Sequence, residues 1–165
     1  MDADAIIRVL GLEPHAEGGW FVETYRAPFL LPRASLPVGY AGDRNLSTAI
    51  YYLLRRGNFS AMHRVMGDEI LHHYLGDPVE LLRLYPDGSG DVAVIGPDLE
   101  SGMRPQVIVP GGTWQGARVS GEGEFALLGT TMAPGFDYAD FLLADRSELI
   151  ARYPDHSDLI EELAR

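Results

Sequence analysis

Two side chains at short spacing, His63 and Glu69, can do chemistry together, and Gln115, further along the chain, is a candidate hydrogen-bonding partner. Five residues separate Gly57 from His63, one separates His63 from Val65, three lead to Glu69, and six more end at Gly76. Residues two apart on a strand share a face, so His63 and Val65 point the same way. Glu69 opens the next strand after a tight turn at Gly67-Asp68 and faces the same interior. An imidazole beside a carboxylate suits general acid–base work, because histidine titrates near neutrality. The same groups also ligate metals. A hydrogen-bonded buried pair of His63 and Glu69 with a purely structural role stays open beside these readings.

Further candidates flank this core. His72, His73 and Tyr74 follow Glu69 on one strand. Strict alternation groups Glu69, Leu71 and His73 on one face and Ile70, His72 and Tyr74 on the other. Either a bulge after Glu69 shifts the register, or these two groups face a second layer rather than the pocket; His72 and Tyr74 are kept as catalytic candidates and His73 is read as structural. Tyr25, Arg26 and Tyr52 sit on other strands as candidate ligand-binding groups, with Gln115 as a hydrogen-bonding partner. Arg26 can grip a phosphate or carboxylate through two N–H groups, or pair with Glu23 at the surface. Trp20 and Trp114 suit a core or an interface.

These positions require strands. Residues 20–26, 48–54, 60–65, 69–75, 79–85, 91–95, 105–109, 113–119 and 125–132 are short runs rich in aromatic or β-branched residues. Turn residues divide them, among them Arg56-Gly57-Asn58, Gly76-Asp77-Pro78, Pro86-Asp87-Gly88 and Pro110-Gly111-Gly112. So many short strands with such punctuation predict an all-β jelly roll, sandwich or barrel. A helix is expected over 2–10, capped by Asp2 or Asp4 and stopped at Gly11, with two more over 145–152 and 157–164 around Pro154. The proline-rich stretch 27–44 is expected to be a long loop or strap near the barrel mouth.

Composition narrows the classes. The chain has 165 residues, 46% hydrophobic and 22% charged, which suits one globular domain spanning 1–165. It has no cysteine, so disulfides, thiolate metal sites and cysteine nucleophiles are excluded. A formal net charge of −11 argues against general nucleic-acid binding. No run approaches membrane-helix length, and the N-terminus has no signal-peptide core. A cytoplasmic protein is the expectation.

The spacing around His63 and Glu69 resembles the first cupin motif, glycine-x5-His-x-His-x3-Glu-x6-glycine, with Val65 in place of the second histidine. Pro110-Gly111-Gly112-Thr113-Trp114-Gln115 is similar to the second motif, Pro-x-Gly-x2-His, with Gln115 in place of its histidine. Metal-binding cupins use those positions to hold one divalent ion through three imidazoles and a carboxylate. Valine cannot ligate and a glutamine amide oxygen is a weak neutral donor, so the resemblance implies that His63, Glu69 and Gln115 hold either no metal or a weakly held divalent ion. The run from Leu12 through His15, Glu17, Gly18, Gly19 and Trp20 to Arg26 resembles the small uncharacterised cupins of cupin family five. So do the stretches 60–78 and 133–141. The resemblance implies a double-stranded β-helix, the cupin jelly-roll barrel, and a homodimer. It also implies likeness in fold to sugar-nucleotide epimerases and to seed storage proteins, among which function varies.

Three functions follow as expectations. One is a sugar or sugar-nucleotide epimerase or isomerase with His63 as acid or base. The second is a non-catalytic, storage-like cupin whose cavity holds a metabolite. The third is an oxygenase or isomerase with a reduced metal-ligand set.

Overall fold

The computed structural model describes residues 2–165. Helix α1 (Ala3–Leu10) is capped by Asp2, whose carboxylate accepts from the Ala5 N–H at 2.8 Å, and it ends at Gly11 in the left-handed conformation (φ 64°). The strands follow as β1 (Glu13–Pro14), β2 (Trp20–Arg26), β3 (Leu30–Leu31), β4 (Arg44–Asn45), β5 (Thr48–Arg55), β6 (Phe59–Arg64) and β7 (Glu69–Gly76). They continue as β8 (Val79–Leu84), β9 (Gly90–Ile95), β10 (Gln106–Val109), β11 (Trp114–Val119), β12 (Phe125–Met132) and β13 (Leu142–Leu143). Helices α2 (Arg146–Arg152) and α3 (Ser157–Leu163) close the chain. All nine expected runs are strands, and the four two-residue strands are additions too short for a periodic signal. Among the described residues no helix is long and apolar enough to cross a membrane.

Two antiparallel sheets face each other. One runs β1-β2-β5-β12-β7-β10, the other β13-β6-β11-β8-β9, and β3 pairs with β4 apart from both. This is the jelly-roll architecture that the sequence predicts. One end of the space between the sheets is filled by apolar side chains including Leu54, Val79, Ile95, Val109 and Val119. The other end is lined by inward residues of the same strands and stays open. Outside the smaller sheet, Met62, Leu82 and Leu84 pack against Leu149, Tyr153 and Ile160 of the C-terminal helices. Each fully buried leucine there contributes roughly 1.5–3 kcal/mol. Helix α1 covers Leu53 and Leu127 of the larger sheet through Ile6.

Two local departures from regularity set up the open end. In β6, Gln115 lies across from His63 and Ala117 across from Ser60, so β6 carries an extra residue in a β-bulge. The bulge sends Met62 outward to the helices yet leaves both Ser60 and His63 facing inward. The second departure is the turn 15–19. There His15 N–H donates to the Gly19 carbonyl at 3.0 Å and Gly18 N–H to the His15 carbonyl at 3.1 Å. Gly18 has φ 115°, and a Cβ on it would sit 2.2 Å from the Phe59 carbonyl oxygen, so only glycine fits.

The stretch 27–44 includes β3, the start of β4 and a short 3-10 turn, and it is anchored near the barrel mouth. Arg44 makes a bidentate ion pair with Asp140 at 2.6 Å on both bonds, with both side chains buried. That pair ties the stretch to the segment 133–143, which brings Phe136 and Phe141 to the cavity.

Candidate functional site

The open end is a cavity lined by His15, Glu17, Tyr52, Ser60, His63, Glu69, Gln115 and Thr130, with a wall of Phe21, Ile50, Val65, Leu71, Phe136 and Phe141. The enclosed space is small, with room for about four waters or one compact organic molecule. Its ionisable lining among the described residues consists of two carboxylic acids, two histidines and one tyrosine, with no lysine or arginine.

His63 is almost fully buried, and both ring nitrogens are engaged. Its Nδ1 lies 2.8 Å from the Ala61 carbonyl oxygen and its Nε2 lies 3.2 Å from Glu17 Oε2. A carbonyl only accepts, so Nδ1 carries a hydrogen. Neutral His63 would then turn the Nε2 lone pair onto a carboxylate oxygen, which is repulsive. A second proton on the edge between His63 and Glu17, on the imidazole or on the carboxyl, would relieve that repulsion. Phe141 stacks on the His63 ring with centroids 5.4 Å apart and shields that edge from water.

Glu17 arrives through backbone contacts that the bulge makes possible. Its carbonyl accepts the Ala61 N–H at 2.8 Å, and its Oε1 accepts the Ser60 hydroxyl at 2.8 Å. Tyr52 donates to the Gly18 carbonyl at 2.8 Å, which braces the turn from within the barrel. Burial, and next the nearby Glu17 charge, hold the Tyr52 hydroxyl well above its ordinary pKa, so it stays a donor.

Glu69 faces the same space, and its Oε2 accepts the Gln115 amide at 2.7 Å. Burial raises its pKa above the ordinary value; the positive character of His63 opposes that and Glu17 reinforces it. His15 completes the polar set. Its Nδ1 accepts the Glu17 backbone N–H at 3.3 Å, and burial lowers its pKa. Both observations favour neutral His15.

The chain matches the cupin superfamily family described as DUF985 over residues 4–144. It belongs to that cupin family. An uncharacterised Saccharomyces cerevisiae protein, YML079W, is 31% identical over 134 residues, covering 76% of this chain and 67% of the yeast protein. The solved structure of protein SO0799 from Shewanella oneidensis is 34% identical, with a TM-score of 0.89 over 100% of this chain and 98% of that one. A hypothetical protein from Leishmania major is 28% identical, with a TM-score of 0.90 over 99% of both chains. Bacillus subtilis oxalate decarboxylase is 14% identical, with a TM-score of 0.54 over 92% of this chain and 37% of that one; this likeness shows the fold alone.

The metal that the cupin fold implies can be tested against this chain's donors. Among the described residues no three His, Asp or Glu side chains converge as a metal site requires. Both nitrogens of His63 have other partners, Gln115 turns its amide N–H toward Glu69, and Val65 offers no donor. The set His63, Glu69 and Gln115 does not fit a divalent ion.

Of the eight residues singled out in the sequence, this cupin brings His63, Glu69, Gln115 and Tyr52 to the cavity. The other four lie elsewhere, against the expectation of a shared site. Alternation holds from Glu69 to Leu71, so His72 falls on the outer face, where its Nε2 meets Thr131 Oγ1 at 3.1 Å and its ring stacks on Tyr74. The register shift in β7 comes beyond His72, between the pairs Leu128–His73 and Leu127–Leu75, too late to turn His72 or Tyr74 inward. Tyr25 is 52% exposed. Arg26 is spent on Glu23 at 2.7 Å, on Asn45 and on the Phe136 carbonyl, which is the surface pairing left open above. His73 meets the Asp77 carbonyl at 3.2 Å, a structural contact.

Glu17 and His15 are the site residues that sequence reasoning missed. The available signal was two ionisable residues one apart, immediately before paired glycines, in a run singled out only for its resemblance.

Proposed function

We propose that the cavity is an acid–base site for a compact small molecule, in which the His63–Glu17 pair moves a proton to or from a carbon or oxygen of the ligand. The observation that carries this reading is the 3.2 Å approach of His63 Nε2 to Glu17 Oε2, with Nδ1 already committed to the Ala61 carbonyl. A proton on that edge can pass to a bound oxygen, and its departure leaves a base behind. That is the equipment of isomerisation or epimerisation beside a carbonyl. Glu69 and Gln115 stand ready to orient a hydroxyl or carbonyl.

Within the sugar and sugar-nucleotide classes, the cavity favours the smaller member. A nucleotide sugar brings a pyrophosphate, and no lysine or arginine lines the space to receive it. The reading is therefore an isomerase or epimerase of small carbonyl compounds.

The test is deuterium wash-in followed by NMR, with a panel of short aldoses, ketoses and 2-oxo compounds in D2O. The wild-type protein is expected to exchange hydrogen beside the carbonyl of at least one of them, and His63→Asn to lose at least a hundredfold of that rate. Binding without exchange would favour the metabolite-holding cupin instead. Exchange unchanged in His63→Asn would defeat the proposal.

A further inference from the structure

The charges inside the cavity do not balance. Glu17 and Glu69 supply two carboxylates. With Nδ1 committed to the Ala61 carbonyl, the 3.2 Å approach of His63 Nε2 to Glu17 Oε2 calls for one extra proton on that edge, which neutralises one of them. His15 adds nothing, because its Nδ1 is used as an acceptor by the Glu17 backbone N–H. No lysine or arginine among the described residues reaches the cavity. Glu69 hydrogen-bonds only to neutral groups, the Gln115 amide and the Thr130 hydroxyl, and the one positive charge beside it, on His63, is already matched by Glu17. A buried anion without a counter-charge costs several kcal/mol, so Glu69 either holds a proton or awaits a cation.

The walls suit a cation as well. Phe21, Phe136 and Phe141 line the same space, and the negative faces of aromatic rings attract an ammonium group. The limited volume restricts that ligand to a compact one.

We infer that this cavity selects ligands bearing a small organic ammonium group, with Glu69 as counter-ion and the phenylalanine wall as its aromatic side. This deepens the acid–base reading by naming the substrate class: an amino-bearing carbonyl or hydroxyl compound, with its ammonium at Glu69 and its reacting end at His63. Burial holds the Glu69 proton more tightly than usual, and an arriving ammonium displaces it.

Isothermal titration calorimetry of the whole protein tests this with probes of similar size and different charge. Methylammonium, ethanolamine and tetramethylammonium are compared with neutral tert-butanol and anionic pivalate. At least one ammonium probe is expected to bind about tenfold more tightly than tert-butanol, and pivalate not at all. Glu69→Gln, which keeps an acceptor for Gln115, is expected to lose that tenfold preference. In wild-type protein, heats measured in buffers of different ionisation enthalpy are expected to reveal proton release on binding. That measurement decides the matter alone if the variant does not fold. Absence of ammonium binding, equal binding of tert-butanol, or a preference undiminished in folded Glu69→Gln would each overturn the inference. So would cation binding without proton release at a pH where free Glu69 is protonated. Loss of the ammonium preference alongside intact His63-dependent exchange would remove only the ligand class, whereas loss of exchange alone would remove the acid–base reading.

Discussion

Val65 and Gln115 are two conservative-looking residues with a large chemical consequence. Val65 lines the cavity beside His63, and Gln115 lies directly across from His63 on β11. Imidazoles at both positions would join His63 and Glu69 as a four-ligand set for a divalent ion, whereas the residues present free His63 to pair with Glu17. The double substitution Val65→His, Gln115→His is therefore expected to bind about one equivalent of cobalt or zinc. A hundredfold excess of metal over its dissociation constant would raise unfolding stability by about 2.7 kcal/mol. Metal analysis and thermal unfolding check this, and a variant that retains no more metal than the wild type contradicts it. His63 and Glu69 were legible as a site because their spacing within two adjacent strands is a local property. Glu17 was not, because it lies 46 residues before His63 and meets it only through tertiary contacts.

At the scale of elements, two irregularities bring that distant pair together. The β6 bulge leaves the Ala61 N–H free for the Glu17 carbonyl and aims His63 at the Glu17 carboxylate. The turn 15–19 can approach β6 only because Gly18 has no Cβ to strike the Phe59 carbonyl. Gly18→Ala combines that collision with a positive φ, and is expected to cost about 1–3 kcal/mol. It should also weaken whatever proton chemistry depends on Glu17. Chemical denaturation measures the first effect; a variant as stable as the wild type would mean that the turn is not held as described. The strands themselves were readable from period-two patterning and turn residues. The bulge was not, since it inserts a residue without changing the local alternation of residue types. In β7, alternation put His72 and Tyr74 on a common face, and of the two alternatives, a bulge after Glu69 or a second layer away from the pocket, the structure takes the second.

The whole molecule separates a filled half of the barrel from an open one. Apolar residues of both sheets pack one end, and nearly all the buried ionisable chemistry collects at the other. Most arginines are occupied on the outside. Arg55 pairs with Asp4, Arg56 with Glu122 and Glu124, and Arg118 with Glu80 and Glu162. Among the described residues, the cavity is thus left with carboxylic acids, histidines and one tyrosine as its ionisable groups. The cupin architecture was legible because it is written in many strands at once, and an error in one register leaves the others intact. The protonation of the cavity was not, since it depends on which atoms face each other across a few ångströms.

Nitrogen-15 NMR of histidine-labelled protein tests the central claim, that the His63–Glu17 edge holds an extra proton inside the barrel. Near neutral pH, His63 is expected to show a hydrogen on Nδ1 and a strongly downfield hydrogen at Nε2. Glu17→Gln is expected to convert it to the neutral form protonated on Nδ1 alone. A wild-type His63 with a bare Nε2, unchanged by Glu17→Gln, would contradict the account.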